Sequence, residues 1–291
     1  MRKQLINNFL DEFVPTTTGA GSQLIHVRRI RGAQERVLLY IHGWGGSSRY
    51  WKDSMTAFAE IRNGIAPDLP GFGRSPAAAD DRMYTHAGYA ECLAGLLDAL
   101  GVARCDVVAH SYGCGPAIHL AQREPDRVQR LVLSNFSTFR DERERRFVAA
   151  MHGISALPVR LRRFRFARGR AFARLLGSQF FYRRPADDVL QGGLEDFLAM
   201  DAHAAHVSAA ASLGWDTPEA LRSLTQPVLF IHARQDRIMP PRNAAYTAAL
   251  APRGRLEWID ECGHMPMVEK PEEFRTLVRE WIDEGRPTAD R

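Results

Sequence analysis

Lysine is nearly absent from this chain of 291 residues: Lys3, Lys52 and Lys270 are its only lysines, and 36 of its 39 basic side chains are arginine. The arginines are spread along the whole length, with no lysine-rich arm and no aromatic interleaving, so the bias reads as coding composition and no nucleic-acid partner is expected. No stretch approaches the ~18–20 uninterrupted apolar residues of a membrane span, which argues against an integral membrane segment. The four cysteines (Cys92, Cys105, Cys114, Cys262) form no C-x-x-C pair, so they are expected as free thiols in a reducing, cytoplasmic setting. Neither G-x-G-x-x-G nor G-x-x-x-x-G-K-[ST] occurs, which excludes the usual dinucleotide and phosphate loops. With 45% apolar residues and a net charge of only +5, the chain is not intrinsically disordered. Its length suits two domains, or one α/β core with an insertion.

Arg2 and Lys3 precede Asn7, Asn8, Asp11 and Glu12, which interrupt any apolar run, so the N-terminus does not read as a signal peptide. Leu5, Phe9 and Phe13 recur every four residues beside Leu10, which predicts a short helix docking on the body.

From residue 23 onward, apolar runs alternate with helical patterns. Strands are expected over Leu24–Ile30, Val37–His42, Gly64–Asp68, Cys105–His110, Val128–Ser134, Pro227–Ala233 and Leu256–Asp260. Helices are expected over Arg49–Glu60, Thr85–Leu100 (capped by Gly101), after Ser111, over Arg242–Leu250 and from Pro271 through Ile282. The alternation predicts an α/β fold, a mostly parallel sheet with helices on both faces. Phe136–Trp215 breaks the pattern, being rich in Ala, Arg and Phe with no convincing strand, and reads as a helical lid insertion. The expected division is 1–136 and 216–291 as core and 137–215 as cap. Within the cap, Arg160, Arg162, Arg163, Arg165, Arg168, Arg170 and Arg174 occur with no acidic residue among them. They read as a solvated face, with an anionic-substrate entrance or a membrane-surface contact as alternatives.

Ala109-His110-Ser111-Tyr112-Gly113 lies where a strand ends and a helix begins. Such a junction holds the central serine in a strained conformation and crowds its flanks, so small residues are needed two positions either side. A serine hydroxyl is a weak nucleophile and needs a base that a third group orients. In chain order the candidates are Asp236, just past the strand 227–233, and His264, just past the last strand. Asp236 could instead be a turn or cap residue and His264 a surface histidine. Ser134, Asn135 and Phe136, at the other strand end, offer no carboxylate. After the strand ending at His42, Gly43-Trp44-Gly45-Gly46 lets the backbone approach a reacting carbonyl, and the N–H groups of Trp44 and Tyr112 are the candidate oxyanion donors. His42, Gly43, Phe136 and Met265 flank these groups and are the expected substrate-contacting residues. His203 and His206, spaced H-x-x-H, lack a third ligand nearby in sequence.

His42–Gly46, Asp68–Ser75, Ala109–Gly113, Gln235–Pro240 and Cys262–Glu273 together resemble the α/β-hydrolase fold family with a helical lid. The resemblance implies an eight-stranded, mostly parallel sheet, a Ser111–His264–Asp236 triad, and no metal or organic cofactor. It points to a serine hydrolase that cleaves a carboxylic ester with a small or medium, apolar acyl or alcohol part. A carbon–carbon bond hydrolase of the meta-cleavage-product type is the alternative, followed by a non-enzymatic ligand receptor on the same scaffold. The expected partner is a small-molecule substrate, and a homodimer is compatible with the sequence.

Overall fold

The continuous apolar runs become strands buried on both faces, as a sheet covered twice requires. Every residue of β3 (Val37–Ile41), β5 (Cys105–His110) and β7 (Val228–Ala233) is buried. The computed structural model describes residues 9–284 apart from 35, 147–161, 163, 165–168, 215 and 240. The remaining strands are β1 (Phe9–Thr18), β2 (Gly21–Ile30), β4 (Asn63–Pro67), β6 (Val128–Ser134) and β8 (Gly254–Ile259). They form one eight-stranded sheet in the order β1-β2-β4-β3-β5-β6-β7-β8. The pairs β1/β2 and β2/β4 are antiparallel, and all others are parallel.

The two-residue side-chain period of a strand sorts the core into two layers. Leu39, Ile41, Val107 and Ala109 point to the face covered by α2 (His86–Ala99) and α3 (Cys114–Arg123). Leu38, Tyr40 and Val108 point to the other, which carries Trp51, Phe58, Phe274 and Trp281. Of these, Phe58 ends α1 (Lys52–Phe58), while Phe274 and Trp281 lie on the closing helix, Pro271–Asp283. The sharp ends of α2 follow from its caps: the Thr85 hydroxyl accepts the Gly88 N–H at 3.0 Å, and Gly101 takes φ +65° beyond the last turn. The four cysteines are free and buried.

One expectation is corrected. Residues 1–8, Leu5 among them, lie outside the described residues, but from Phe9 onward the chain is a strand and not a helix. It pairs with β2 from Phe9↔Ile30 to Thr18↔Gly21. A spacing of four is even, so Phe9 and Phe13 satisfy a strand's alternation as readily as a helical stripe. The run Thr16-Thr17-Thr18 and Val14 favour the pleated surface. Val14 and Thr16 face inward, whereas Leu10 and Phe13 are exposed on the edge strand.

Between β6 and β7 the described residues hold no strand. They include α4 (Arg170–Gly177), α5 (Asp187–Ala199) and α6 (Ala202–Ala211), with a small cluster of Phe172, Ala173, Leu190 and Leu194. The helix α7 (Asp216–Ser223) already belongs to the main core through Ala220 and Leu221. Of the arginine-rich stretch, Arg170 is exposed, Arg174 pairs with Asp187 at 3.2 Å, and Arg162 donates to the Met200 carbonyl. Arg160, Arg163, Arg165 and Arg168 lie outside the described residues. No helix among the described residues is long and apolar enough to cross a membrane.

Phe274 is 1% exposed and its ring lies 6.3 Å from that of Trp51. Phe274→Ala should cost about 3–5 kcal/mol, read as a lower urea midpoint at unchanged m-value. A loss below about 1 kcal/mol would mean that the closing helix is not part of the core.

Candidate active site

Ser111 follows β5 at φ +51°, a left-handed conformation that costs a non-glycine residue about 1–3 kcal/mol and persists only where its surroundings enforce it. Those surroundings are tight. A Cβ on Gly113 would lie 2.4 Å from the His42 carbonyl oxygen, and one on Gly43 would lie 3.1 Å from the Ser111 Cβ. Ala109 is fully buried. The loop after β3 therefore lies directly on the turn after β5.

Three side chains far apart in sequence meet here. The Ser111 hydroxyl donates to His264 Nε2 at 2.9 Å, and His264 Nδ1–H donates to Asp236 Oδ2 at 2.8 Å. Asp236 lies on the loop after β7 and His264 on the loop after β8, so all three sit at the carboxyl ends of parallel strands. Asp236 Oδ1 accepts the N–H groups of Ile238 and Met239 at 2.8 and 2.9 Å. Burial alone would raise the Asp236 carboxyl, but the adjacent His264 and the hydrogen bonds from His264, Met239 and Asn135 overcome it and hold it down at about 2.

His264 is fixed through its backbone as well. Its N–H donates to the Phe180 carbonyl at 2.6 Å, and its carbonyl accepts from His110 Nε2 at 2.7 Å. His110 Nδ1 in turn accepts from the Tyr50 hydroxyl at 3.2 Å, and that oxygen accepts the Gly43 N–H. Burial, and then the neighbouring His264, push His110 down to about 3, so it serves as a neutral link.

The loop Gly43–Gly46 is a turn closed by Gly46 N–H donating to the Gly43 carbonyl at 3.1 Å, with Gly45 at φ +72°. Trp44 occupies its first central position, whose N–H the turn leaves unpaired. Tyr112 falls in the first turn after Ser111, where N–H groups have no intrahelical acceptor. The Trp44 indole donates to the Ala205 carbonyl on α6 at 3.2 Å.

Of the expected substrate-contacting residues, Gly43 lies against the Ser111 turn. Met265 is half-buried beside the second core cluster, and Phe136 is buried in the first with Tyr112 and Met200. His42 is fully buried, Nδ1–H donating to the Gly43 carbonyl at 2.8 Å and Nε2 accepting the Leu69 N–H at 2.9 Å. One ring nitrogen is thus bonded to the glycine loop and the other to the segment after β4, so His42 ties the two together. His203 is exposed and pairs with Asp81 at 2.6 Å.

Sequence reasoning passed over four residues. Asn135, at φ +49°, donates to Asp236 Oδ2 at 2.6 Å and to the Gly263 carbonyl at 3.2 Å. Its signal was available, since asparagine is among the few residues at ease in that conformation at a strand end. Tyr50 has no local signature. Glu269 accepts from Gly263 N–H at 2.8 Å and Tyr182 N–H at 2.7 Å, fastening the segment Phe180–Tyr182 to the histidine loop. Asp196 on α5 accepts from the Ser47 hydroxyl at 2.8 Å and pairs with Arg49 at 3.2 Å.

A family model of the α/β hydrolase fold matches residues 36–271. The 2-hydroxymuconate semialdehyde hydrolase of Pseudomonas putida is 33% identical over 253 residues, covering 85% of this chain and 87% of its own. Among solved structures, a thermophilic esterase from Thermogutta terrifontis superposes with a TM-score of 0.76 at 23% identity, covering 94% of this chain and 98% of its own. A meta-cleavage product hydrolase from Pseudomonas fluorescens gives 0.73 at 22% identity, with the same coverages of 94% and 98%.

Because the Asp236 carboxyl sits at about 2 in the fold against an ordinary 3.8, its stabilisation is complete above the ordinary value and is lost as pH falls toward 2. Asp236→Asn should therefore remove on the order of 2 kcal/mol of the acid-induced loss of stability between about pH 4 and pH 2. Urea unfolding of both proteins across that window measures it. Parallel acid limbs would show that the carboxylate is not held as described.

Proposed function

The chain belongs to the α/β-hydrolase fold family, and from that premise we propose a serine hydrolase that cleaves a carboxylic ester with a small or medium, apolar acyl or alcohol part. The observation that carries this reading is the 2.9 Å contact between the Ser111 hydroxyl and His264 Nε2. Ser111 Oγ attacks the acyl carbon as His264 takes its proton, and the carbonyl electron pair moves onto oxygen. The N–H groups of Trp44 and Tyr112 receive that oxyanion. As the tetrahedral intermediate collapses, the C–O bond breaks and His264 gives its proton to the departing alkoxide. Water then attacks the acyl-enzyme with His264 as base, releasing the acid and restoring the serine. Asp236, kept ionised, fixes the imidazole tautomer and balances its charge.

Residues 137–215 act in this reading as a lid. The Phe180 ring lies 5.8 Å from that of His264, and Phe197 Cδ2 is 3.8 Å from where a Cβ on Gly45 would stand. Aromatic surface beside His264 and beside the Gly43–Gly46 loop suits an apolar acyl or alcohol part.

The second reading is hydrolysis of a carbon–carbon bond, favoured by the 33% identity to a 2-hydroxymuconate semialdehyde hydrolase. The attack is unchanged, but the leaving group departs as an enolate-type carbanion and takes its proton at carbon.

Ser111→Ala should lower kcat/KM on an aryl ester by about 10⁴-fold or more with Tm unchanged, and a fluorophosphonate should label the parent protein at Ser111 and not the variant. Retained turnover in the variant would sink the nucleophile assignment. Side-by-side kcat/KM values for aryl esters and vinylogous diketones decide the bond: a clear preference for the diketones would replace the ester reading with the second.

A further inference from the structure

Where α2, α3 and α7 meet, two histidines and an aspartate converge without a role in the chemistry described. His86 opens α2, His119 lies within α3 and Asp216 opens α7. One ligand atom from each lies within 4.8 Å of the others. His86 is 5% exposed and the His119 side chain 10%, yet neither Nε2 has a hydrogen-bond partner. His119 Nε2 lies 3.4 Å from Asp216 Oδ2. Leaving a buried polar nitrogen unsatisfied costs about 1–3 kcal/mol, and two of them side by side call for an occupant.

The surroundings orient these nitrogens as ligands. His86 Nδ1 bonds the buried Thr217 hydroxyl at 3.0 Å. With Nδ1–H as donor, the Nε2 lone pair is left free, which is how metal-binding histidines are set by their outer contacts. Gly115 on α3 makes room for the ring, since a Cβ there would lie 2.6 Å from His86 Nε2. Burial keeps both imidazoles in the neutral form a metal needs, lowering His86 to about 4 and His119 below its ordinary value. Metal–ligand bonds of roughly 2.0–2.2 Å place neighbouring ligand atoms in a tetrahedral site roughly 3.3 Å apart. The His119–Asp216 separation already meets that spacing, and Asp216, half-exposed, can swing toward His86.

We propose that His86 Nε2, His119 Nε2 and the Asp216 carboxylate form a binding site for a divalent metal ion of the zinc class. Two imidazoles and one carboxylate suit zinc or its neighbours better than magnesium or calcium, which take mostly oxygen. Solvent reaching Asp216 supplies the fourth ligand. The ion ties α3 to α2 and α7. It bears on the elbow through the His86 ring, which meets that of Tyr112 edge-on at 5.1 Å. Its role is therefore to brace the helix that follows the nucleophile and not to touch the reacting ester.

Tag-free protein stripped with a chelator and titrated with Co²⁺ provides the test, with Zn²⁺ affinity read by competition against a chromogenic chelator. The expected result is one equivalent per chain, the d–d absorption of a four- or five-coordinate Co²⁺ centre, and a rise in Tm with Zn²⁺. His119→Gln and Asp216→Asn should each weaken binding at least about tenfold and abolish the Tm rise. His203→Ala, on the H-x-x-H pair of α6, should leave both intact. Wild-type protein that takes up no stoichiometric Co²⁺ overturns the site. So does an equivalent that both cluster variants retain, or one that His203→Ala removes.

Discussion

His264 is the residue on which the site depends, because three separate parts of the fold end on it through four contacts. Its ring spans from Ser111 to Asp236, and its own N–H and carbonyl are taken by Phe180 and His110. The four contacts come from three places: the end of β5 and the turn after it, which supply His110 and Ser111, the loop after β7, and the segment between β6 and β7. A loop residue held through side chain and backbone together loses its conformational freedom at folding, before substrate arrives. The electrostatic arrangement is then already in place when charge develops. The left-handed backbone at Ser111 and Asn135 belongs to the same device: it turns the Ser111 hydroxyl toward the imidazole and the Asn135 amide toward Asp236 and the Gly263 carbonyl.

The loop carrying Trp44, one of the two candidate oxyanion donors, is fixed with equal care. His42 and Tyr50 hold Gly43 from two sides. Asp68, buried and hydrogen-bonded to His26 at 2.8 Å, accepts the Ser48 N–H at 2.6 Å. Burial disfavours its charge, but these partners prevail and keep its carboxyl down at about 2. Asp196 is the contrasting case. Burial raises it to about 6 despite Arg49 and Ser47; in an acid with a raised value the ionised form weakens the fold, and that penalty grows as pH rises toward 6. Glu269 is likewise raised by burial while it fastens the Phe180–Tyr182 segment. The insertion is thus attached to both halves of the site, the donor loop and the histidine loop, through carboxylates that resist being charged. Such attachments are specific but not strong.

Most of the sheet was legible because strands buried on both faces leave continuous apolar runs, and glycine and proline mark their ends. Ser111, Asp236 and His264 were legible because each lies just past such a run, so the topology brings them to one rim. What escaped was carried by contacts with no local period. Tyr50 meets His110 across 60 positions, and Asn135 meets Asp236 across 101; neither spacing leaves a pattern in the chain. The first strand was misread because a period of four is shared by a helix and by one side of a strand.

Ester and carbon–carbon hydrolysis place nearly the same demands on the three converging side chains, which is why relatives of both kinds can share this architecture. Both need an activated hydroxyl, an acceptor for its proton and donors for the oxyanion. They part at the leaving group. An alkoxide needs one proton, delivered from the imidazole to oxygen, and little else. A carbanion must be stabilised as an enolate while a proton reaches carbon, which requires polar groups facing the far end of the substrate. Those groups cannot come from the strand ends, which are already committed to holding His264 and the donor loop. The insertion is the other source, and it brings the Phe180 ring to 5.8 Å from that of His264. Aromatic walls solvate an apolar acyl or alcohol part well and an enolate poorly. The leaving group, and with it the part of the insertion that faces it, is therefore where the two chemistries diverge.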